Sequence, residues 1–379
     1  MDIEGLSVEP RSEDRPAAVV LAAGMGKRMK SATPKVLHRV MGRTLLAYVL
    51  NAVQYLSPAR ILVVVGHGAE EVETALGRPP GVEYVVQTEQ LGTGHAVWSA
   101  RPALEGWRGP VVILPGDAPL VSPQTMLDFL AAHRALGAPL SVLTAELDDP
   151  ASYGRVVRDR AGWLERIVEF RDADEDTRAI REVNAGVYAA EPGALFGALE
   201  AVRPANVQSE YYLTDVVGIL RSRGDLVSAV TGPDPREIQG VNDRADLARC
   251  QETLKLRINE AWLRAGVTFH DPYSTYVEPS VRLERDCVLG PGVVLSGRTR
   301  VGEGACIGPY AVLADVEVGP GARVAPHAVL SGVAVPAGAD ARTAPPPYAG
   351  YPARTRAASP LAQAGGGRLR AAPPRRRIV

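Results

Sequence analysis

Leu289-Gly290-Pro291-Gly292, Val301-Gly302-Glu303-Gly304, Ile307-Gly308-Pro309-Tyr310 and Val318-Gly319-Pro320-Gly321 are turns of a ladder in the last third of the chain. Its rungs are Val277, Leu283, Leu289, Leu295, Val301, Ile307 and Leu313, one at every sixth position. After a skip of one residue the ladder resumes at Val318, Val324 and Leu330. A period of six is too long for a helical turn and too regular for ordinary loops. It predicts a parallel β-helix, in which each short strand stacks its aliphatic residue on the coil below. The ladder occupies residues 267–338. At three hexapeptides per coil it predicts about three coils.

Working outward, the 379 residues leave room for a second domain of ordinary size. A hydrophobic content of 46% with 22% charged residues describes a soluble globular chain. The net charge of -1 makes no case for nucleic-acid binding. Cys250, Cys287 and Cys306 have neither metal-site spacing nor an even count for disulfides, and read as buried thiols of a reducing compartment. The acidic start Met1-Asp2-Ile3-Glu4 does not resemble a secretory leader. No apolar run approaches the roughly 20 residues that span a bilayer. The expectation is a cytoplasmic protein with no nucleic-acid partner and no membrane contact.

From Ala17 to about Val241, short aliphatic runs alternate with amphipathic stretches such as Leu45–Leu56 and Ser122–Leu136. The runs Ala17–Ala23, Ile61–Gly66, Val82–Val86 and Val111–Pro115 are continuously hydrophobic, as parallel strands buried on both faces would be. The alternation predicts an α/β domain with a mainly parallel sheet, whose ligands sit outside the carboxyl ends of its strands. The expected organisation is a loose segment 1–16, the α/β domain 17–242, a linker helix 243–266, the β-helix 267–338 and a tail 339–379. That tail carries Arg342, Arg354, Arg356, Arg368, Arg370 and Arg375 to Arg377 among Pro and Gly, so disorder is expected.

The strongest chemical motif is Leu21-Ala22-Ala23-Gly24-Met25-Gly26-Lys27-Arg28-Met29, followed by Pro34-Lys35. A buried strand runs into a Gly-containing turn, where backbone N–H groups can approach a phosphate chain. Arg28 and Lys35 would supply cations for a triphosphate. The spacing matches neither of the common Gly-rich nucleotide motifs. Asp117, at the end of Val111–Pro115-Gly116, alone reads as a turn or cap residue, or else as a metal carboxylate.

These segments resemble the nucleotide loop of sugar-1-phosphate nucleotidylyltransferases. The resemblance sharpens to the N-acetylglucosamine-1-phosphate uridylyltransferase family through Gln87-Thr-Glu-Gln-Leu-Gly-Thr-Gly-His-Ala, Gly116-Asp-Ala-Pro-Leu, Asp149-Pro-Ala-Ser-Tyr-Gly-Arg and Ile167-Val-Glu-Phe. Val183-Asn-Ala-Gly, Glu210-Tyr-Tyr-Leu-Thr-Asp and Gly240-Val-Asn-Asp-Arg follow in the family's order. It implies a Rossmann-like nucleotidyltransferase domain followed by a short left-handed β-helix. It further implies Mg²⁺-dependent attack of N-acetylglucosamine 1-phosphate on the α-phosphorus of UTP. By resemblance, Arg28 and Lys35 are catalytic, and Asp117 and Asn242 hold the metal. Leu21, Ala22, Ala23, Gly24, Gln87, Gly92 and Thr93 contact the uridine portion, and Lys35, Pro115, Gly116, Asp117 and Asn242 also bind substrate. Gly154, Glu169 and Asn184 hold the sugar. Pro115 departs from the family, which often shows an aromatic there, and this bears on sugar selectivity. His95 has no evident partner and reads as structural.

Family members also acetylate glucosamine 1-phosphate in a longer coil domain. The segments that resemble that activity are not found here, and His327, in a ladder turn, does not match them. The expectation is a shortened coil without acetyl transfer. The coils are expected to support a homotrimer over a small interface. A transferase for another sugar 1-phosphate such as glucose 1-phosphate, a bifunctional enzyme that keeps acetylation and a non-catalytic scaffold remain open alternatives.

Overall fold

The computed structural model describes residues 15–77 and 79–341. The expectations of a loose 1–16 start and a disordered tail from 339 fall largely outside these residues, but Asp340–Ala341, expected in the tail, forms a strand that pairs with Arg323–Val324. Val227–Thr231, Leu140–Glu146, Glu182–Ala190, Val111–Pro115, Ala17–Leu21, Arg60–Val65 and Val82–Val86 lie in that order across one sheet. Every neighbouring pair in this row is parallel except those made by Glu182–Ala190, which is antiparallel to both its neighbours. A hairpin of Arg155–Arg158 and Leu164–Val168 leans on that antiparallel strand.

The continuous hydrophobic runs have a direct cause. Ala17, Val19, Val111 and Ile113 pack on one face, under helices Thr93–Ser99, Pro192–Leu199 and Asp215–Ser222. Ala18, Val20, Val112 and Leu114 pack on the other, under helices Leu45–Gln54, Ala69–Leu76 and Pro123–Leu136. With both faces covered, alternation would leave polar groups buried, and none is written into these strands. Helix starts follow local chemistry: Thr44 and Ser122 cap their helices through side-chain oxygens that accept from Ala47 and Thr125 N–H.

Helix Arg244–Arg264 leads into the coils. Three parallel sheets run up them, through Phe269, Leu289, Ile307, Val324 and Ala341 on one side, Val277, Leu295, Leu313 and Leu330 on the second, and Leu283, Val301, Val318 and Val335 on the third. These rungs make four complete coils and one further strand, where the hexad count predicts about three. The count misses Phe269 because the corner Asp271–Thr275 lengthens its step to Val277, and misses Val335 because its step from Leu330 is one residue short. Cys250 and Cys287 are buried as expected, whereas Cys306 faces outward on its strand and is half-buried. Among the described residues no helix is long and apolar enough to cross a membrane.

Candidate active site

Parallel pairing brings four strand ends to one edge. The ladder continues past them through Ala22 N–H to Val64 O (2.8 Å), Gly116 N–H to Leu21 O (2.8 Å) and Gln87 N–H to Val65 O (2.7 Å). Between these loops lies a cleft of about 450 Å³, lined among others by Leu21, Ala22, Ala23, Gly24, Gln87, Gly92, Thr93, Pro115 and Asp117. Gly26 has φ +59°, and a Cβ on it would stand 2.6 Å from Lys35 Cβ, so glycine here lets Lys35 lie across the loop. A Cβ on Gly24 would meet nothing within 4 Å, so that side of the loop is open space.

The ammonium of Lys35 contacts the Asp117 carboxylate and stands 3.4 Å from Asn242 Oδ1. Asn242 reaches this point from far along the chain. Val241 is buried and its N–H donates to Asp117 O (2.9 Å), which stitches the two loops together. The next residues form a capping box: Asp243 accepts from Ala245 and Asp246 N–H, and the Asp246 carboxylate accepts from Asn242 and Asp243 N–H. The start of the linker helix thus fixes Asn242. Two oxygen donors converge on one cation, the arrangement a hard divalent ion favours when phosphate and water complete its shell. No group of three or more His, Cys, Asp and Glu with metal-site geometry exists among the described residues. Such an ion would therefore depend on the substrate's oxygens.

Gly154, Glu169 and Asn184 form a second cluster beside the first. Asn184 N–H donates to Gly154 O (2.9 Å), and a Cβ on Gly154 would stand 3.5 Å from both Glu169 oxygens. Thr214 Oγ1 donates to Glu169 Oε1 (3.2 Å). Burial raises the Glu169 carboxyl above its ordinary range, Asp172, Asp215 and Glu210 add to this, and the Thr214 hydroxyl partly offsets it. Asn184 accepts from Gly186 N–H (2.8 Å) and donates to Tyr188 Oη (2.8 Å). Gly186 abuts Pro115, and Pro115 lines the cleft, so the two clusters are continuous.

The structure does not gather every expected residue. Arg28 is exposed on the short turn Lys27–Met29 and does not line the cleft, where its neighbour Lys27 does. Sequence alone cannot separate two adjacent cations, because the direction of a single turn decides. Gly116 lies behind the cleft wall, with a would-be Cβ 2.9 Å from Leu21 O. Thr93 lines the cleft, but its hydroxyl oxygen accepts from Leu213 N–H (3.1 Å) and so also holds the 210–214 segment. Glu210 and Gln90 line the cleft without having been given roles, although both stand inside the quoted motifs. His95 does have a partner, the Gln87 side chain at 3.0 Å.

Two family descriptions match the chain. The MobA-like NTP transferase domain covers residues 18–187, and the bacterial transferase hexapeptide (six repeats) covers 298–332, in keeping with a left-handed coil. The "Bifunctional protein GlmU" of Halalkalibacterium halodurans is 47% identical over 298 residues, 79% of this chain and 65% of its own length. The protein of the same name from Thermobifida fusca is 47% identical over 312 residues, 81% of this chain and 64% of its own length. This chain therefore spans a little under two thirds of these relatives. A UDP-glucose pyrophosphorylase solved with UDP-glucose shares the fold, with a TM-score of 0.54 at 16% identity over 63% of this chain and 98% of that one.

Proposed function

We propose that this chain, 47% identical to GlmU proteins over a little under two thirds of their length, transfers a uridylyl group from UTP to N-acetylglucosamine 1-phosphate, releasing pyrophosphate and UDP-N-acetylglucosamine. The observation that carries this reading is the meeting of Lys35, Asp117 and Asn242 beside a cleft lined by Gly24 and Met25 of the loop. The attacking group is already a phosphate anion, so no strong base is needed. Catalysis reduces to alignment and neutralisation of charge. Lys35, with Arg28 and Lys27 from the loop, supplies positive charge, and loop N–H groups donate to phosphate oxygens. Glu169 and Asn184 hold the sugar so that its phosphate oxygen forms a bond to the α-phosphorus as the bond to pyrophosphate breaks. Asp117 and Asn242 would hold Mg²⁺, which when bound neutralises phosphate charge.

Pyrophosphate release is the test, with UTP, Mg²⁺ and either N-acetylglucosamine 1-phosphate or glucose 1-phosphate. Release confined to glucose 1-phosphate would move the reading to another sugar, the alternative favoured by Pro115 at the sugar-side wall. No release with any sugar phosphate would favour a scaffold.

The coils, in this reading, brace and assemble the chain as a cytoplasmic homotrimer without acetyl transfer. The turn residue His327 stacks on Tyr310, with ring centroids 5.3 Å apart and planes 10° from parallel. Free CoA released from acetyl-CoA and glucosamine 1-phosphate would overturn the acetylation part. A monomeric mass by light scattering would overturn the trimer.

A further inference from the structure

Gln87 is buried at the carboxyl end of strand Val82–Val86, and its side chain lines the cleft. Its Nε2 has two protein partners, Gly92 O at 3.2 Å and His95 Nδ1 at 3.0 Å. A carbonyl can only accept, so the Gly92 contact identifies this end of the amide as the nitrogen. The nitrogen carries two hydrogens. One goes to Gly92, and the other goes to His95, whose Nδ1 must then be the unprotonated ring nitrogen. Both donors are spent. What Gln87 has left for a ligand is Oε1, an acceptor without a protein partner among the described residues.

His95 is itself held in place. It sits in the first turn of helix Thr93–Ser99, with Gly94 N–H donating to Tyr211 O (2.8 Å). Its ring tilts against that of Tyr211 with centroids 6.4 Å apart, and Ser99 Oγ donates to its backbone oxygen (2.9 Å). It is not among the residues lining the cleft, so any effect on a ligand passes through Gln87.

We propose that His95 is a positioning residue that locks the Gln87 amide so that this side chain offers a nucleobase an acceptor and no donor. A base that presents a ring N–H, as uracil does at N3, is matched. A base that presents a bare ring nitrogen, as cytosine does at the same atom, meets oxygen against lone pair and is rejected. The proposal rests on the reading of this cleft as a uridine nucleotide site. Without the His95 acceptor, one amide hydrogen loses its partner and Gly92 alone opposes rotation of the amide. A net hydrogen bond of ordinary strength corresponds to about a tenfold change in preference.

The test measures kcat/KM, and equilibrium binding, of UTP and CTP with the full chain and with His95→Leu and His95→Asn. Leucine removes the acceptor, while asparagine restores one. The expected result is a UTP-to-CTP ratio about tenfold lower in His95→Leu, carried by KM rather than kcat, and partly recovered in His95→Asn. Equal weakening of both nucleotides, which a structural role would produce, overturns the proposal. So does a ratio unchanged in both variants. If the unaltered chain shows no preference for UTP, the uridylyl reading itself fails and this proposal with it; a preference that survives both substitutions sinks the proposal alone. Thermal melting of each variant separates misfolding from these outcomes.

Discussion

Gly24 of the nucleotide loop and four glycines of the coil corners do opposite work. Past strand Ala17–Leu21, a Cβ on Gly24 would meet nothing within 4 Å, and the space belongs to the cleft. In the coils, a Cβ on Gly290, Gly302, Gly308 or Gly319 would stand 2.5 to 2.7 Å from a backbone nitrogen of the coil above. Both regions stack short parallel strands. The sheet strands are covered on both faces and end in loops with room between them. The coil strands end in corners that are themselves stacked, and at these four glycines the corner is filled by the next coil. Chemistry therefore collects at the open ends of the sheet, and the coil gains regularity at the expense of space.

The sharpest way to break this contrast is Asp117→Ala. It removes the carboxylate that meets Lys35 and faces Asn242, and turnover should fall by about 10³-fold or more while the fold persists. Pyrophosphate release alongside circular dichroism reads both quantities. Undiminished turnover would remove the open edge from the chemistry altogether.

Acid should separate the two regions next. His133, under the sheet on helix Pro123–Leu136, shares a hydrogen bond with Ser141 Oγ (2.8 Å), which accepts from Ser228 Oγ (2.6 Å). Burial, with help from Arg134, pushes the His133 pKa down to about 4. A base with a depressed folded pKa contributes stability that is present above its ordinary value near 6.5 and is lost as pH falls toward 4. The loss should be on the order of 3 kcal/mol across that window. Among the described residues the buried core of the coils holds no histidine or carboxylate, only apolar side chains, Thr275, Thr299 and the Cys287 thiol. Denaturant unfolding from pH 7 to 4 should show the decline, and His133→Asn should flatten it. An equally steep decline in that variant would refute the assignment.

The difference between the two regions also explains what was legible in the sequence. The hexad ladder is a local code, and its rungs land in the core because each strand carries one inward residue per turn of fixed length. It fails where the length changes, at Phe269 and Val335. The sheet was readable from hydrophobic runs because both faces demand apolar side chains. Within the site, Lys35, Asp117 and Asn242 were legible through resemblance, yet what joins them is the Val241-to-Asp117 backbone bond and the helix cap at Asp243. That Lys27 lines the cleft, and that His95 reaches back to Gln87, depend on the direction of single turns. Composition does not encode such directions.

Substituting the two kinds of glycine sharpens the contrast at smaller scale. Gly308→Ala should cost about 1–3 kcal/mol, because its Cβ would stand 2.5 Å from Pro326 N and 2.8 Å from Ala325 C, backbone atoms that yield only if the coil shifts. Gly24→Ala should leave the melting temperature unchanged and raise KM for the nucleotide instead. Should Gly24→Ala destabilise as much as Gly308→Ala, the loop would be packed like a corner and the division between open and filled ends would fail.

The smallest effect expected here is a gain. Glu169 is a carboxylate held against burial and three acidic neighbours, with its pKa raised. For an acid whose folded pKa lies above its unfolded value, the favourable contribution is complete below the ordinary carboxylate range and is lost as pH rises through the folded value. At pH 7.5 the charged group therefore weighs against the fold. Glu169→Gln keeps the shape and can still accept from Thr214, so the melting temperature should rise at pH 7.5, with the difference vanishing near pH 4. The same variant should raise KM for the sugar phosphate, since an amide oxygen is a weaker acceptor for hydroxyls. A coil position such as Gly308 should show no such exchange, because nothing there is held against its own stability for a ligand's sake. If Glu169→Gln lowers the melting temperature at pH 7.5, the carboxylate is stabilised by contacts that outweigh its burial, and the sugar side of the site is a packed corner after all.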